Sequence, residues 1–193
     1  MNRFLLLTAL TCTISISAGA QKLTAEQAGI KKTFFDFLLF YKKNEKKFNS
    51  FKLYSGTGKE GNPPYRINWN TGVARYFDYL RKNVPYVGDA YIKAELQHFK
   101  DAENNFKLYP EEEIAMGFDF DRWAGGQESI EYTYGWYTSP KNIYQVKING
   151  NKATLRIGSP QDEDVKNSEK FWAFVPFVKE KGKWKMADNI YPE

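Results

Sequence analysis

"NIYQVKINGNKATLRIG", residues 142–158, is the stretch on which the fold turns. Val146 and Ile148 alternate with Gln145, Lys147 and Asn149, then Asn149-Gly150-Asn151 interrupts, and Ala153, Leu155 and Ile157 alternate again. A period of two on both sides of an Asn-Gly step predicts two strands joined by a tight hairpin. Downstream, "KFWAFVPFVKE" and "KWKMADNIY" flank a Lys181-Gly182 turn and read as further strands. Pro176 cannot donate to a ladder, so it marks an edge or a bulge. Upstream, "IEYTYGWYT" (130–138) also alternates and reads as a strand.

Before Pro110 the period is helical. Thr24 and Gln27 have capping-box spacing, and Ile30, Phe34, Phe37, Leu38 and Tyr41 follow on one wide face. The spacing predicts a helix to about Phe48. Residues 54–70, with three glycines and two prolines, read as a long loop exposing Tyr65 and Trp69. A second helix is expected over Thr71–Lys82, with Val73, Phe77 and Leu80 inward. A third, capped by Asp89, is expected over Ala90–Phe106 with a core stripe of Ile92, Leu96, Phe99 and Phe106. Helices first and an antiparallel meander afterwards define an α+β class, with helices packed on one face of a curved antiparallel sheet.

The opening "MNRFLLLTALTCTISISAGA" has one charge, an apolar run and a small-x-small end, the pattern of a secretory leader cleaved after Ala20. Residues 21–193 then form a single domain. The expected compartment is periplasmic or secreted. A lipid-anchored alternative runs through Cys12, against a poor Ala9-Leu10-Thr11 context. Loss of Arg3 with the leader lowers the net charge from +5 to +4, too weakly basic for a nucleic-acid partner. Cys12 is the only cysteine and His98 the only histidine, which excludes disulfides, thiol nucleophiles and multi-histidine zinc sites from the mature chain. No transmembrane segment is expected after the leader. The basic run "YKKNEKKF" (41–48) reads as a solvated helix face.

Chemistry-bearing residues fall in two places. In "MGFDFDRWAGGQES" (116–129), Asp119 and Asp121 have the D-x-D spacing of a hard-cation loop, but Arg122 and Trp123 stand where further oxygen ligands belong. The stretch reads instead as a helix-to-sheet join, Phe118 and Phe120 inward and the carboxylates facing water or Arg122. No metal and no cofactor is expected. On the third helix, Tyr91, Glu95, His98 and Ala102 form a row beside the core stripe, and Glu95 with His98 at i,i+3 has the spacing of an acid/base pair. No G-x-S-x-G elbow, phosphate loop or dinucleotide fingerprint occurs.

The helix with paired aromatics ("FFDFLLFY"), the "YLRKNVPYVGDAYI" segment, the aspartate loop leading to Gln127 and the closing "GKWKM" hairpin together resemble the nuclear-transport-factor-2-like (cystatin-like) α+β fold. More narrowly they resemble the exported bacterial family called domain of unknown function 3828, from which this chain departs in having Gln127-Glu128 and an inserted Gly-Gly. The resemblance implies a cone-shaped domain with a cavity between helices and concave sheet. Candidates for lining it are Tyr91, Glu95, His98, Asp119, Asp121, Gln127, Tyr132, Tyr134 and Trp136. The expected function is a non-enzymatic binding module for a protein or a small apolar-faced ligand, with a homodimer kept open. The alternatives are an acid/base enzyme using Glu95, His98 or Asp119, and an inhibitor acting through Tyr65 and Trp69.

Overall fold

A computed structural model describes residues 22–159 and 172–192. The leader reading, Cys12 and the polar stretch 160–171 lie outside the described residues. Helix α1 (Ala25–Asn49) begins at the expected capping box: Thr24 accepts from the Gln27 amide, and the Gln27 side chain accepts from the Thr24 amide. Its buried face is Ile30, Phe34, Phe37, Leu38, Tyr41 and Phe48. Fully burying each such side chain contributes about 1.5–3 kcal/mol, so this one helix supplies much of the apolar driving force.

The sheet orders as β3 (Ile143–Asn149), β4 (Lys152–Gly158), β5 (Trp172–Glu180) and β6 (Lys183–Met186), all antiparallel, with β7 (Tyr191–Pro192) also on β5. Asn149 pairs with Lys152 across the Gly150-Asn151 turn, as the hairpin signal requires. At the second turn Lys181 and Gly182 both take positive φ (49° and 77°), the backbone of a type I′ hairpin. Pro176 sits where β5 passes from β6 to β7, and its carbonyl accepts from Ala187 at 2.8 Å, so the missing N–H falls at the ladder's gap. Helix α1 packs on β3 and β6, over an inner face of Val146, Leu155, Ile157, Val175, Phe177 and Met186.

The α+β reading holds, with four α-helices among the described residues in place of three. Residues 130–138 form helix α4 (Ile130–Thr138), not a strand. Ser129 caps it by accepting from the Tyr132 amide, and Ile130, Thr133 and Tyr137 are buried at i, i+3 and i+7. The alternation of Tyr132, Tyr134 and Trp136 was incidental; the 3.6-residue stripe beside it decides the element. Tyr137 meets Phe34 edge-on at 5.3 Å, which docks α4 on α1.

The long loop is partly ordered as a small ladder, β1 (Tyr54–Gly56) with β2 (Tyr65–Ile67). Tyr65 and Trp69 are half-buried, not displayed. Tyr65 packs on Tyr54 and Phe106, and the Trp69 indole donates to Glu103 at 2.7 Å. The second helix opens with a wide turn, Trp69–Val73, before α2 (Ala74–Asn83). Gly72 is needed there because a Cβ would stand 1.8 Å from the Lys52 carbonyl. Helix α3 (Asp89–Leu108) is not capped by Asp89. The Glu180 carboxylate at the end of β5 accepts from the amides of Asp89 and Ala90, each at 3.1 Å.

Candidate functional site

A cleft of about 490 Å³ opens between α3, the 116–127 loop and the C-terminal segment. Helix α3 supplies His98, Asp101, Ala102 and Asn105; the loop supplies Met116, Gly117, Phe120, Arg122 and Gln127; Asn189, Ile190 and Tyr191 close the third side. It is not the helix–sheet cavity expected from the cone reading. Helix α1 packs on β3 and β6, and the opening meets the sheet only at its β7 end, through Tyr191. Gly125, at φ +70°, lets the loop approach so closely that a Cβ would meet Ile190 at 2.8 Å.

Beneath the cleft lies a buried polar network. Glu95 has no exposed surface and Arg122 only 6%. Arg122 Nη2 donates to Glu95 Oε1 at 3.0 Å, and Asn189 Nδ2 donates to the same oxygen at 2.6 Å. Tyr76 donates to Glu95 Oε2 at 2.8 Å, and the Trp123 indole donates to Tyr76 at 2.7 Å. Tyr91 completes the set by donating to Asn189 Oδ1. The guanidinium lies 4.6 Å from the Phe99 ring centroid and 5.1 Å from that of Phe118, and its buried Nε has no hydrogen-bond partner. Burial is the largest single effect and opposes the charge on Arg122, but the Glu95 carboxylate, Tyr76 and Tyr91 together outweigh it and hold the guanidinium's pKa above its ordinary value. Burial, reinforced by the same carboxylate, pushes Tyr76 and Tyr91 well up.

Glu95 and His98 therefore do not act as the i,i+3 pair that their spacing suggested. Glu95 turns inward to Arg122, and His98 turns to Asp188, Nε2 to Oδ1 at 2.9 Å, with the Tyr191 hydroxyl 3.2 Å from the same nitrogen. The Asp188 bond raises the His98 pKa against an opposing burial effect. For Asp188, burial acts upward, but bonds to His98, Tyr191 and the Asn189 amide together lower it.

The sign of the pH effect follows. A raised imidazole pKa stabilises fully below the ordinary 6.5 and ceases to as pH rises through the folded value. A lowered carboxylate pKa stabilises above the ordinary 3.8 and ceases to as pH falls through the folded value. The pair is thus at full strength from about pH 3.8 to 6.5. The gap in Tm between wild type and His98→Gln is expected to be widest in that window and to shrink towards pH 9. Thermal melts across pH test this, and a gap independent of pH contradicts it.

The aspartates of the 116–129 stretch do not face Arg122. Asp119 is exposed and accepts from the Gly117 amide at 3.2 Å. Asp121 organises the loop: Oδ1 accepts from the Trp123 and Ala124 amides, each at 2.9 Å, and Oδ2 accepts from Tyr41 at 2.7 Å. Phe118 packs inward on Phe99 as expected, whereas Phe120 is 44% exposed at the cleft mouth. Of the nine candidate residues, His98 and Gln127 line the cleft and Tyr91 and Glu95 hold its floor. Asp121 lines a neighbouring hollow on the other side of Arg122. Tyr132, 61% exposed, and Tyr134 and Trp136 belong to α4 and take no part in it.

Sequence reasoning passed over Arg122, Asn189, Asp188 and Tyr191. Arg122 carried a signal, since an arginine between Phe120 and Trp123 in a loop reading inward needs a buried acid, and Glu95 was the unpartnered acid on an apolar row. Among the described residues no three His, Cys, Asp or Glu side chains group to hold a metal ion, and no helix is long and apolar enough to cross a membrane. No family model matches the chain, and no curated protein matches it.

Proposed function

We propose that this chain is an exported envelope protein whose α+β domain works as a non-enzymatic binding module, holding a small apolar-faced ligand in the cleft between α3 and the C-terminal segment. One observation carries the reading: an open cavity of about 490 Å³ with an apolar wall of Ala102, Met116, Phe120 and Ile190, over a floor whose polar groups are already bonded to one another. A pocket of that size, mostly apolar with few convergent polar groups, is what small-molecule sites look like. A floor bonded within itself at every group but the Arg122 Nε–H holds the wall in place without calling for chemistry. The leader-like first twenty residues support export, and helices leading into an antiparallel meander support the nuclear-transport-factor-2-like likeness.

A proton-transfer enzyme is the second reading, favoured by the Asp188–His98–Tyr191 group at the cleft rim. It would rest on His98, since Glu95 is committed to Arg122 and Asp119 lies outside the cleft. An inhibitor acting through Tyr65 and Trp69 draws no support from rings that are packed inward.

Native mass spectrometry of the chain purified from its own envelope fraction tests the binding reading. A small-molecule adduct on the wild type, lost from Asn105→Trp, is the expected result, because the indole would occupy the cleft. An adduct that survives the plug, or none on either protein, contradicts it.

A further inference from the structure

We infer that the ligand of this cleft carries a cationic nitrogen, an ammonium group on an apolar body. The inference rests on the binding reading above and adds the charge of the ligand. Two basic side chains border the cleft, and each already has a carboxylate partner, although the buried Nε–H of Arg122 stays unbonded. Arg122 is bound to Glu95 and His98 to Asp188. What remains at the wall is Asp101, whose only described partner is the neutral amide of Gln97 at 2.9 Å. An anionic ligand would find no free counter-charge here, and a cation would find one.

The surroundings act in the same direction. From Tyr109 to Asp121 the chain carries Glu111, Glu112, Glu113, Asp119 and Asp121 and no basic residue, in a protein whose net charge is +5. This loop contributes Met116, Gly117 and Phe120 to the cleft, and its three glutamates are exposed. An acidic loop beside the cleft, on a protein that is otherwise positive, favours the approach of cations over anions. Two aromatic rings complete the site, Phe120 at 44% and Tyr191 at 39% exposure. Ring faces attract a cation within about 6 Å, and do so for ammonium groups in particular.

The cation is organic, because a metal ion needs several oxygen or nitrogen ligands together, and no such group of acids and histidine occurs among the described residues. An ammonium needs only one carboxylate and a ring, and its apolar body can lie on Ala102, Met116 and Ile190.

Three probes of one shape separate the terms: 2-phenylethylammonium, neutral 2-phenylethanol and anionic 3-phenylpropanoate. Each is titrated into the full mature chain and followed through the methyl resonances of Ala102 and Ile190. The ammonium is expected to bind about tenfold more tightly than the anion, because an exposed carboxylate attracts the one and repels the other. Asp101→Asn, a surface change that leaves the core untouched, should remove most of that preference, and added salt should reduce it. Equal binding of all three, preference for the anion, or an unchanged preference in Asp101→Asn overturns the inference while leaving the cleft a binding site. If none of the three moves those methyls, both the inference and the binding reading fall.

Discussion

Glu95→Ala is expected to cost about 3–5 kcal/mol, enough to bring a domain of ordinary stability close to unfolding at room temperature. The reason is less the loss of an attraction than what stays behind. Arg122 would remain charged in the interior with its partner gone, and the donors of Tyr76 and Asn189 would lose their acceptor at the same time. Arg122→Met alone should cost a similar amount, since it strands a carboxylate with no exposed surface. The double change Glu95→Leu/Arg122→Met removes both charges and should recover the part of the loss that comes from a stranded charge, but not the part that comes from Tyr76 and Asn189, which still lack their acceptor. Urea unfolding of the three variants measures the coupling. Additive losses in the double variant would show that the two side chains do not stabilise each other.

Trp123→Ala is the second large effect, about 3–5 kcal/mol. The indole is where the 116–129 loop enters the helical layer. Its ring lies 5.1 Å from Phe48, 5.5 Å from Tyr41 and 5.9 Å from Tyr76, so truncation leaves a void shared by α1 and α2. Its N–H also holds Tyr76, which in turn holds Glu95. Trp123→Phe keeps most of the ring packing and removes only that hydrogen bond, so about 1 kcal/mol is expected. Chemical denaturation of the pair checks both figures. Should the two variants lose equal stability, the hydrogen bond and not the ring would be the dominant contribution.

Much of the fold was legible because its signals are local. A capping box at Thr24, an Asn-Gly hairpin and a Lys-Gly hairpin each specify backbone within a few residues, and each formed as read. Residues 130–138 were misread because two periods overlap there. The buried set Ile130, Thr133 and Tyr137 favours a helix, while the aromatic set alternates, and only docking against Phe34 chooses between them. The cleft was less legible for a related reason. Its partners are far apart in sequence: Glu95 with Arg122 and Asn189, His98 with Asp188. Spacing along α3 put Glu95 and His98 on neighbouring directions, but no periodicity could say that one would turn to an arginine inside and the other to an aspartate at the rim.

The Glu180 carboxylate that caps α3 has a mechanical meaning as well. Helix α3 is held twice by the C-terminal part of the chain, at its first amides by Glu180 at the end of β5 and about two and a half turns later at His98 by Asp188, just past β6. Two anchors on one rod fix both how far it slides and how far it rotates. The pairing of β5 with β6 therefore sets the angle at which α3 presents its face. A slip of one residue in that hairpin would turn a change of strand alignment into a rotation of the wall that carries His98, Asp101 and Asn105.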